Sequence, residues 1–240
     1  MEIAARGLSR LFGPHRALDA LDLEVPAGST YGLLGTNGAG KTTFLRLVAG
    51  LLLPTAGSLR VGGLSPAEEP ARVQARIGYV METSRLYPEL RVRGCLRFLA
   101  AARGLSDAAR EAAVERALER FGLGAVSRRL IGNLSKGYQQ RVSLAQAFLH
   151  DPPLVIVDEP TGGLDPVQQR EVQDRLRELR GERTILLCTH DLAEARGLAD
   201  RVAVLDAGRL VAEGPTEAVL GSGDPLALFA GAPRASAARP

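Results

Sequence analysis

GTNGAGKT, Gly35 to Thr42, is the stretch on which the reading of this chain turns. It fits G-x-x-x-x-G-K-[ST], and its flanks are those the pattern requires. Thr30 to Leu34 is a short apolar run with strand character, and from Thr42 the spacing of Phe44, Leu45, Leu47 and Val48 predicts a helix that stops at Gly50. Residues without a Cβ let the backbone curl until successive N–H groups face one anion, with the positive end of the following helix behind them. Lys41 would then reach the outer phosphates of a nucleotide, and the Thr42 hydroxyl a divalent cation. The alternative is an ordinary glycine-rich turn before a helix, and the flanking elements weigh against it.

Upstream, Leu21, Leu23 and Val25 alternate with Asp22 and Glu24 ahead of the turn Pro26-Ala27-Gly28, so the first residues read as β structure. Downstream, residues 83 to 150 are rich in Ala, Arg, Glu and Leu, with Ser106 as an N-cap before DAAREAAVERALERF, and read as a helical subdomain. LVIVD and TILLCT then restore strand character on either side of the helical VQQREVQDRLRELR, a βαβ arrangement. RVAVLDAGRLVAEG reads as a hairpin turning at Asp206-Ala207-Gly208, followed by a short helix after Gly214 and a disordered tail over the last ten residues.

Composition narrows the function classes. A chain of 240 residues suits one large domain or two small ones. No apolar run reaches the roughly 18 residues of a membrane span, and MEIAARGLSRLF holds no apolar signal core, so the chain is expected in the cytoplasm. Cys95 and Cys188 have no metal-ligand spacing and read as reduced, buried thiols. A net charge of +3 with both signs interspersed gives no sign of a nucleic-acid partner.

Two further stretches carry chemistry. In LVIVDEPT, Leu154 to Thr161, four apolar residues form a strand that ends in two acids. Asp158 would hold a divalent cation, and Glu159 would orient or deprotonate an attacking water. Adjacent carboxylates repel, and a cation beside them relieves the repulsion; taken alone, the pair reads equally as two solvated acids. In LSKGYQQR, Leu134 to Arg141, Ser135 offers a hydroxyl at a helix start and Gly137 allows close approach of the backbone, a place that favours an anion. The alternative there is a merely N-capped helix.

GTNGAGKT, LSKGYQQR, VDEPTGGLD and the THD at 189 to 191 stand in the order of an ATP-binding cassette. Over residues 2 to 215 the chain therefore resembles the nucleotide-binding subunit of ABC transporters, most of all the ATPases paired with ABC-2-type export permeases. The resemblance implies an α/β fold: a P-loop NTPase core with a mixed sheet and flanking helices, an antiparallel β subdomain and an inserted α-helical subdomain. It assigns 1–82 and 151–215 to the core, 83–150 to the helical subdomain with the signature motif, and 216–240 to a short, partly disordered extension.

The same resemblance implies Mg-ATP as ligand and a set of roles. Gly35, Asn37, Gly38, Gly40, Lys41, Thr42 and Thr43 would surround the phosphates, with Thr42, Glu82 and Asp158 at Mg²⁺ and Glu159 and His190 in catalysis. Phe12 would stack on adenine, Ser135 and Gly137 would complete the site of the opposite subunit, and Asp165 would cross the dimer interface. By residue pattern alone Phe12 reads as core, Asp165 as a turn acid before Pro166, and His190 as structural. The chain departs from the common signature at Lys136 and Tyr138. Glu82 stands where the family generally has glutamine, which would add a third acid beside Asp158 and Glu159 and shift a pKa or the Mg²⁺ requirement, unless it points into solvent.

A two-fold dimer follows, with a homodimer the simpler form because both halves of each site occur in one chain. It would drive a separate membrane permease from the cytoplasmic face of the membrane, with Leu86, Tyr87 and Leu90 as apolar anchors. The competing function is a soluble, non-transport cassette such as an iron–sulfur assembly ATPase. A GTPase fits less well, since the chain has no N-K-x-D guanine motif.

Overall fold

A computed structural model describes residues 1–82 and 86–221. In chain order the strands and helices are β1 (Ile3–Phe12), β2 (His15–Val25), β3 (Thr30–Gly35), α1 (Lys41–Val48), β4 (Ala56–Val61), α2 (Pro70–Gln74), β5 (Ile77–Val80), α3 (Val92–Ala102), α4 (Asp107–Arg120), α5 (Lys136–Ala147), β6 (Leu154–Asp158), α6 (Pro166–Arg177), β7 (Thr184–Thr189), α7 (Leu192–Leu198), β8 (Arg201–Asp206), β9 (Arg209–Pro215) and α8 (Thr216–Leu220).

These strands form two sheets. One is antiparallel, in the order β2-β1-β4, and the other has the order β5-β6-β7-β3-β8-β9. In the second sheet β5, β6, β7, β3 and β8 run parallel and β9 returns antiparallel at the edge. Every residue of β3, β6 and β7 is buried, as befits parallel strands covered on both faces. On one face Tyr31, Ile156 and Leu186 meet Phe44 and Leu47 of α1 and the buried side of the antiparallel sheet, where Leu21, Leu23 and Val25 alternate inward. On the other face Val155 and Leu187 share a core with Leu96, Val114, Phe121 and Val142, so α3, α4 and α5 pack onto the sheet through a continuous apolar layer. Each fully buried Leu or Phe contributes about 1.5 to 3 kcal/mol to holding these layers together.

The topology positions the chemistry. β3 lies centrally between β7 and β8, and the loop that leaves its carboxyl end enters α1. Asp158 ends β6 and Thr189 ends β7 at the same edge, the place where open α/β sheets hold their ligands. The turn between β8 and β9 has positive φ at both Ala207 (46°) and Gly208 (80°), which matches the twist of the flanking strands and makes the expected two-residue hairpin.

Three expectations need correction or restriction. Phe12 is not core: it is 44% exposed. Leu86 and Leu90 are not free anchors, because both pack against the helical core, and only Tyr87 of that trio is exposed. α8 supplies the short helix expected after Gly214, and the tail expected over 231–240 lies outside the described residues.

Candidate functional site

A cleft of about 360 Å³ opens at the carboxyl edge of the mixed sheet. Its walls hold Phe12, Asn37, Gly38, Gly40, Lys41, Thr42, Thr43, Glu82, Asp158, Glu159 and His190, so residues from five separate stretches of sequence meet there. Gly35 sits behind this wall at the base of the loop. Ser135, Gly137 and Asp165 do not line the cleft.

The loop is shaped by what packs behind it. Gly40 has φ 104°, and a Cβ there would fall 2.5 Å from the Ala17 carbonyl oxygen and 2.8 Å from Leu18 Cδ2, so no other residue fits. No side chain caps α1, which leaves its first N–H groups facing the cleft as an anion cradle. Lys41 is buried, and its Nζ donates to the carbonyls of Gly35 at 2.6 Å and Thr36 at 3.2 Å. Sequence reasoning missed the brace from the β8–β9 turn. Gly208 N–H donates to the Ala39 carbonyl at 3.0 Å, the Gly208 carbonyl accepts from Asp19 N–H at 2.9 Å, and Arg209 Nε donates to Asp19 at 2.7 Å. The Asp-Ala-Gly turn signal located the hairpin but carried no sign of what its tip would touch.

The acids occupy the opposite wall. Asp158 is buried, and burial pushes its carboxyl above the usual carboxylate range; the Cys188 thiol and Lys41 pull it back, while the Glu159 and Glu82 carboxylates push it further up. Cys188 lies beside Asp158 in the β6–β7 register, and burial followed by the Asp158 charge drives its thiol far above the ordinary thiol range, so it stays protonated. Glu159 carries φ 47°, an uncommon conformation for a non-glycine residue, and its N–H donates to the Cys188 carbonyl at 2.8 Å. Its carboxylate reaches His190 Nδ1 at 2.8 and 2.9 Å, so the strand ends of β6 and β7 deliver an acid and an imidazole in direct contact. A carboxylate so held can accept a proton from a water poised in the cleft.

Outside the cleft, Ser135 Oγ caps α5 by accepting from Tyr138 N–H at 3.4 Å and is exposed. Gly137 is buried against α6, where a Cβ would come within 2.7 Å of Gln168 Oε1. That close neighbour is one the sequence did not reveal. Asp165 Oδ1 caps α6, accepting from Val167 and Gln168 N–H at 3.0 Å each. At the far end of the cleft, the Arg10 guanidinium lies 4.6 Å from the Phe12 ring centroid and braces the exposed ring. Among the described residues no group of three or more His, Cys, Asp or Glu side chains is arranged to hold a metal ion by itself.

Residues 18–162 match the ABC transporter family. The chain belongs to that family. It is the ATP-binding, ATP-hydrolysing subunit of an ABC transporter. The ABC subunit is 40% identical over 216 residues to the daunorubicin resistance ATP-binding protein of Streptomyces coeruleorubidus, covering 90% of this chain and 68% of that one. It is 39% identical to the Nod factor export ATP-binding protein I of Cupriavidus metallidurans, covering 90% of this chain and 72% of that one. With the bacitracin transport ATP-binding protein of Bacillus licheniformis the identity is 36%, over 89% of this chain and 69% of that one. Among solved structures, an ATP-binding subunit of an ABC transporter superposes with a TM-score of 0.83 at 32% identity, covering 96% of this chain and 98% of that one. A dimeric ATP-binding cassette bound to ADP and Pi shares the fold, with a TM-score of 0.79 at 24% identity over 89% of this chain and 98% of that one. These relatives support a transport ATPase over the iron–sulfur assembly alternative.

Proposed function

We propose that two copies of this ABC subunit close head to tail on two ATP molecules and power a separate export permease from the cytoplasmic face of the cell membrane. The observation that carries the reading is the division of the motifs. One cleft gathers the phosphate loop, Asp158, Glu159 and His190, while Ser135 and Gly137 lie outside it, so a second copy is needed to bring them to the nucleotide.

Within each site the backbone of residues 37–43 and Lys41 bind the phosphates, and Phe12 offers its free face to the adenine. Thr42 and Asp158, joined by Glu82, are a hydroxyl and two carboxylates whose mutual repulsion a cation would relieve, a donor set that fits Mg²⁺ completed by phosphate oxygens. Such an ion, when bound, would neutralise charge on the outer phosphates. His190 orients Glu159, and Glu159 accepts the proton of the attacking water. Asp165 ends the turn that leads from Glu159 into α6, which suits a crossing between subunits. Binding makes the interface and hydrolysis breaks it, a ligand-biased two-state switch.

Export is supported by the relatives, whose names state daunorubicin resistance, Nod factor export and bacitracin transport. No helix among the described residues is long and apolar enough to cross a membrane, in keeping with a permease on another chain. Its docking face would be the helical segment within 83–150, where exposed Tyr87 meets exposed Phe98 edge-on at 5.6 Å between ring centroids. The substitution Glu159→Gln tests the whole reading. Expected are an ATP-trapped dimer by light scattering, turnover reduced about a hundredfold or more, and a polytopic membrane protein copurifying in mild detergent. A monomer with ordinary turnover would remove Glu159 from catalysis, and recovery with soluble proteins alone would remove the permease.

A further inference from the structure

The alternation that runs Leu21, Leu23 and Val25 inward along β2 breaks just upstream of Leu21. Leu8 pairs with Leu21 and Arg10 with Leu18, so Asp19 and Ala20 together oppose Ser9. This is a β-bulge, in which Ala20 carries φ 49° and its N–H donates to Ser9 Oγ at 2.9 Å. A non-glycine residue in the left-handed region is strained, and a bulge of this kind bends the strand and re-aims a side chain. The side chain re-aimed here is that of Asp19.

Asp19 reaches out of its own sheet and grips the β8–β9 turn at two points. Its N–H donates to the Gly208 carbonyl at 2.9 Å, and one carboxylate oxygen accepts from Arg209 Nε at 2.7 Å and Nη2 at 2.5 Å. Its other oxygen accepts from Arg16 Nη1 at 2.5 Å. The turn has no slack, because a Cβ on Gly208 would fall 2.8 Å from the Ala17 carbonyl oxygen. Gly208 N–H in turn donates to the Ala39 carbonyl at 3.0 Å. That bond decides an orientation inside the phosphate loop. A trans peptide is planar with its C=O and N–H on opposite sides, so fastening the Ala39 carbonyl to the hairpin turns the Gly40 N–H the other way, toward the cleft that Gly40 lines.

We propose that Asp19 is a positioning residue for phosphate binding: through Arg209 and Gly208 it fixes the Ala39–Gly40 peptide so that the Gly40 N–H is aimed at the anion before nucleotide arrives. Asp19 does not line the cleft and acts only through the hairpin. A loop ordered in advance loses less freedom on binding, so the tie is felt in affinity for ATP and not in the chemical step. This role rests on the phosphate binding proposed for residues 37–43 and Lys41.

The test compares Asp19→Ala, Arg209→Ala and their combination in the full chain, with Lys41→Ala as the control on the cradle itself. The Arg209 side chain is 72% exposed, so its removal leaves the core untouched even if Asp19→Ala folds poorly. Expected is a KM for ATP raised about fivefold or more in Asp19→Ala and about threefold in Arg209→Ala, with kcat at saturating Mg-ATP within about twofold. Calorimetric Kd values for ADP should rise by similar factors, and Arg209→Ala should add little in the Asp19→Ala background, since the two groups act as one unit. A KM within about twofold of wild type in both single variants, a fall in kcat with KM unchanged, or fully additive losses in the double variant would overturn it. If Lys41→Ala binds ATP normally, the cradle reading has failed; if Lys41→Ala loses ATP and both Asp19→Ala and Arg209→Ala bind it normally, only this inference has.

Discussion

Gly137→Ala separates the two demands placed on the start of α5. In the isolated subunit the new Cβ would lie 2.7 Å from Gln168 Oε1 and 2.8 Å from its Cδ and Cγ, so the glutamine must rotate away. Gln168 is a half-buried, flexible side chain near the start of α6, and moving it costs about 1 kcal/mol. Alanine in place of glycine returns about 1 kcal/mol through helix propensity. The two nearly cancel, so the melting temperature without nucleotide should move by no more than about 4 °C for a chain of this size. The second demand has no such compensation. If the backbone of residue 137 meets the phosphate held by the other copy, a methyl group there removes a close approach and should lower turnover at saturating Mg-ATP tenfold or more, about 1.4 kcal/mol. The assays are a thermal melt, steady-state ATPase, and light scattering of the ATP-bound Glu159→Gln, Gly137→Ala double variant. Gln168→Ala, added to relieve the local clash, should leave the ATPase defect in place. Turnover within about twofold of wild type with dimer intact would refute the contact across the interface, and rescue by Gln168→Ala would show that the defect was packing within one subunit.

Other substitutions probe other parts of the scheme. Asp165→Ala removes the acceptor for two helix N–H groups at 3.0 Å and should lower stability by about 1 kcal/mol, read as a melting temperature about 2 to 4 °C lower without nucleotide. Glu82→Gln takes away one of the like charges that raise the Asp158 carboxyl, so the acid limb of the ATPase pH profile should move to lower pH and the Mg²⁺ requirement should change; superimposable profiles would mean that Glu82 faces solvent without consequence. His150 is pushed down to about 4 by burial first and the Arg103 charge second, with its Nε2 3.2 Å from the Ile77 carbonyl. Its folded value lies below the unfolded one of 6.5, so its contribution to stability is complete above pH 6.5 and is lost as pH falls from there toward 4. Urea midpoints should therefore decline over that window, and less steeply in His150→Gln; parallel slopes would exclude it.

Much of the architecture could be read from sequence because its signals are local. The alternation at Leu21, Leu23 and Val25 and the apolar run ending in Asp158 each report a strand without reference to the rest of the chain. The cleft was legible for a related reason: a phosphate loop needs glycines in sequence, and the motif spells them out. Contacts between distant segments were not legible. Nothing at Gly208 announces Ala39, nothing at Cys188 announces Asp158, and Glu194 looks like any helix acid until the fold encloses it. Exposure failed in both directions for one reason. An aromatic or aliphatic residue is apolar wherever it sits, so Phe12 was assigned inward by pattern and Leu86 and Leu90 outward by resemblance, and tertiary packing reversed both. Phe98, exposed against Tyr87, was missed because an aromatic residue in a helix whose Leu96 and Ala100 are core is apolar by pattern and carries no sign that it faces outward.

The tip of a surface hairpin is ordinarily where a chain accepts extra residues most readily. The turn at Ala207 and Gly208 is the reverse, because its peptide groups are wedged between the loop at Ala39 and the strand at Asp19. A tag, a linker or a single inserted residue at this spot would be transmitted straight to the phosphate cradle, far upstream in the chain. A change of length at this turn should therefore be felt in the loop at Ala39, because the tip of this hairpin, with Gly208 buried, is an internal support rather than a free end.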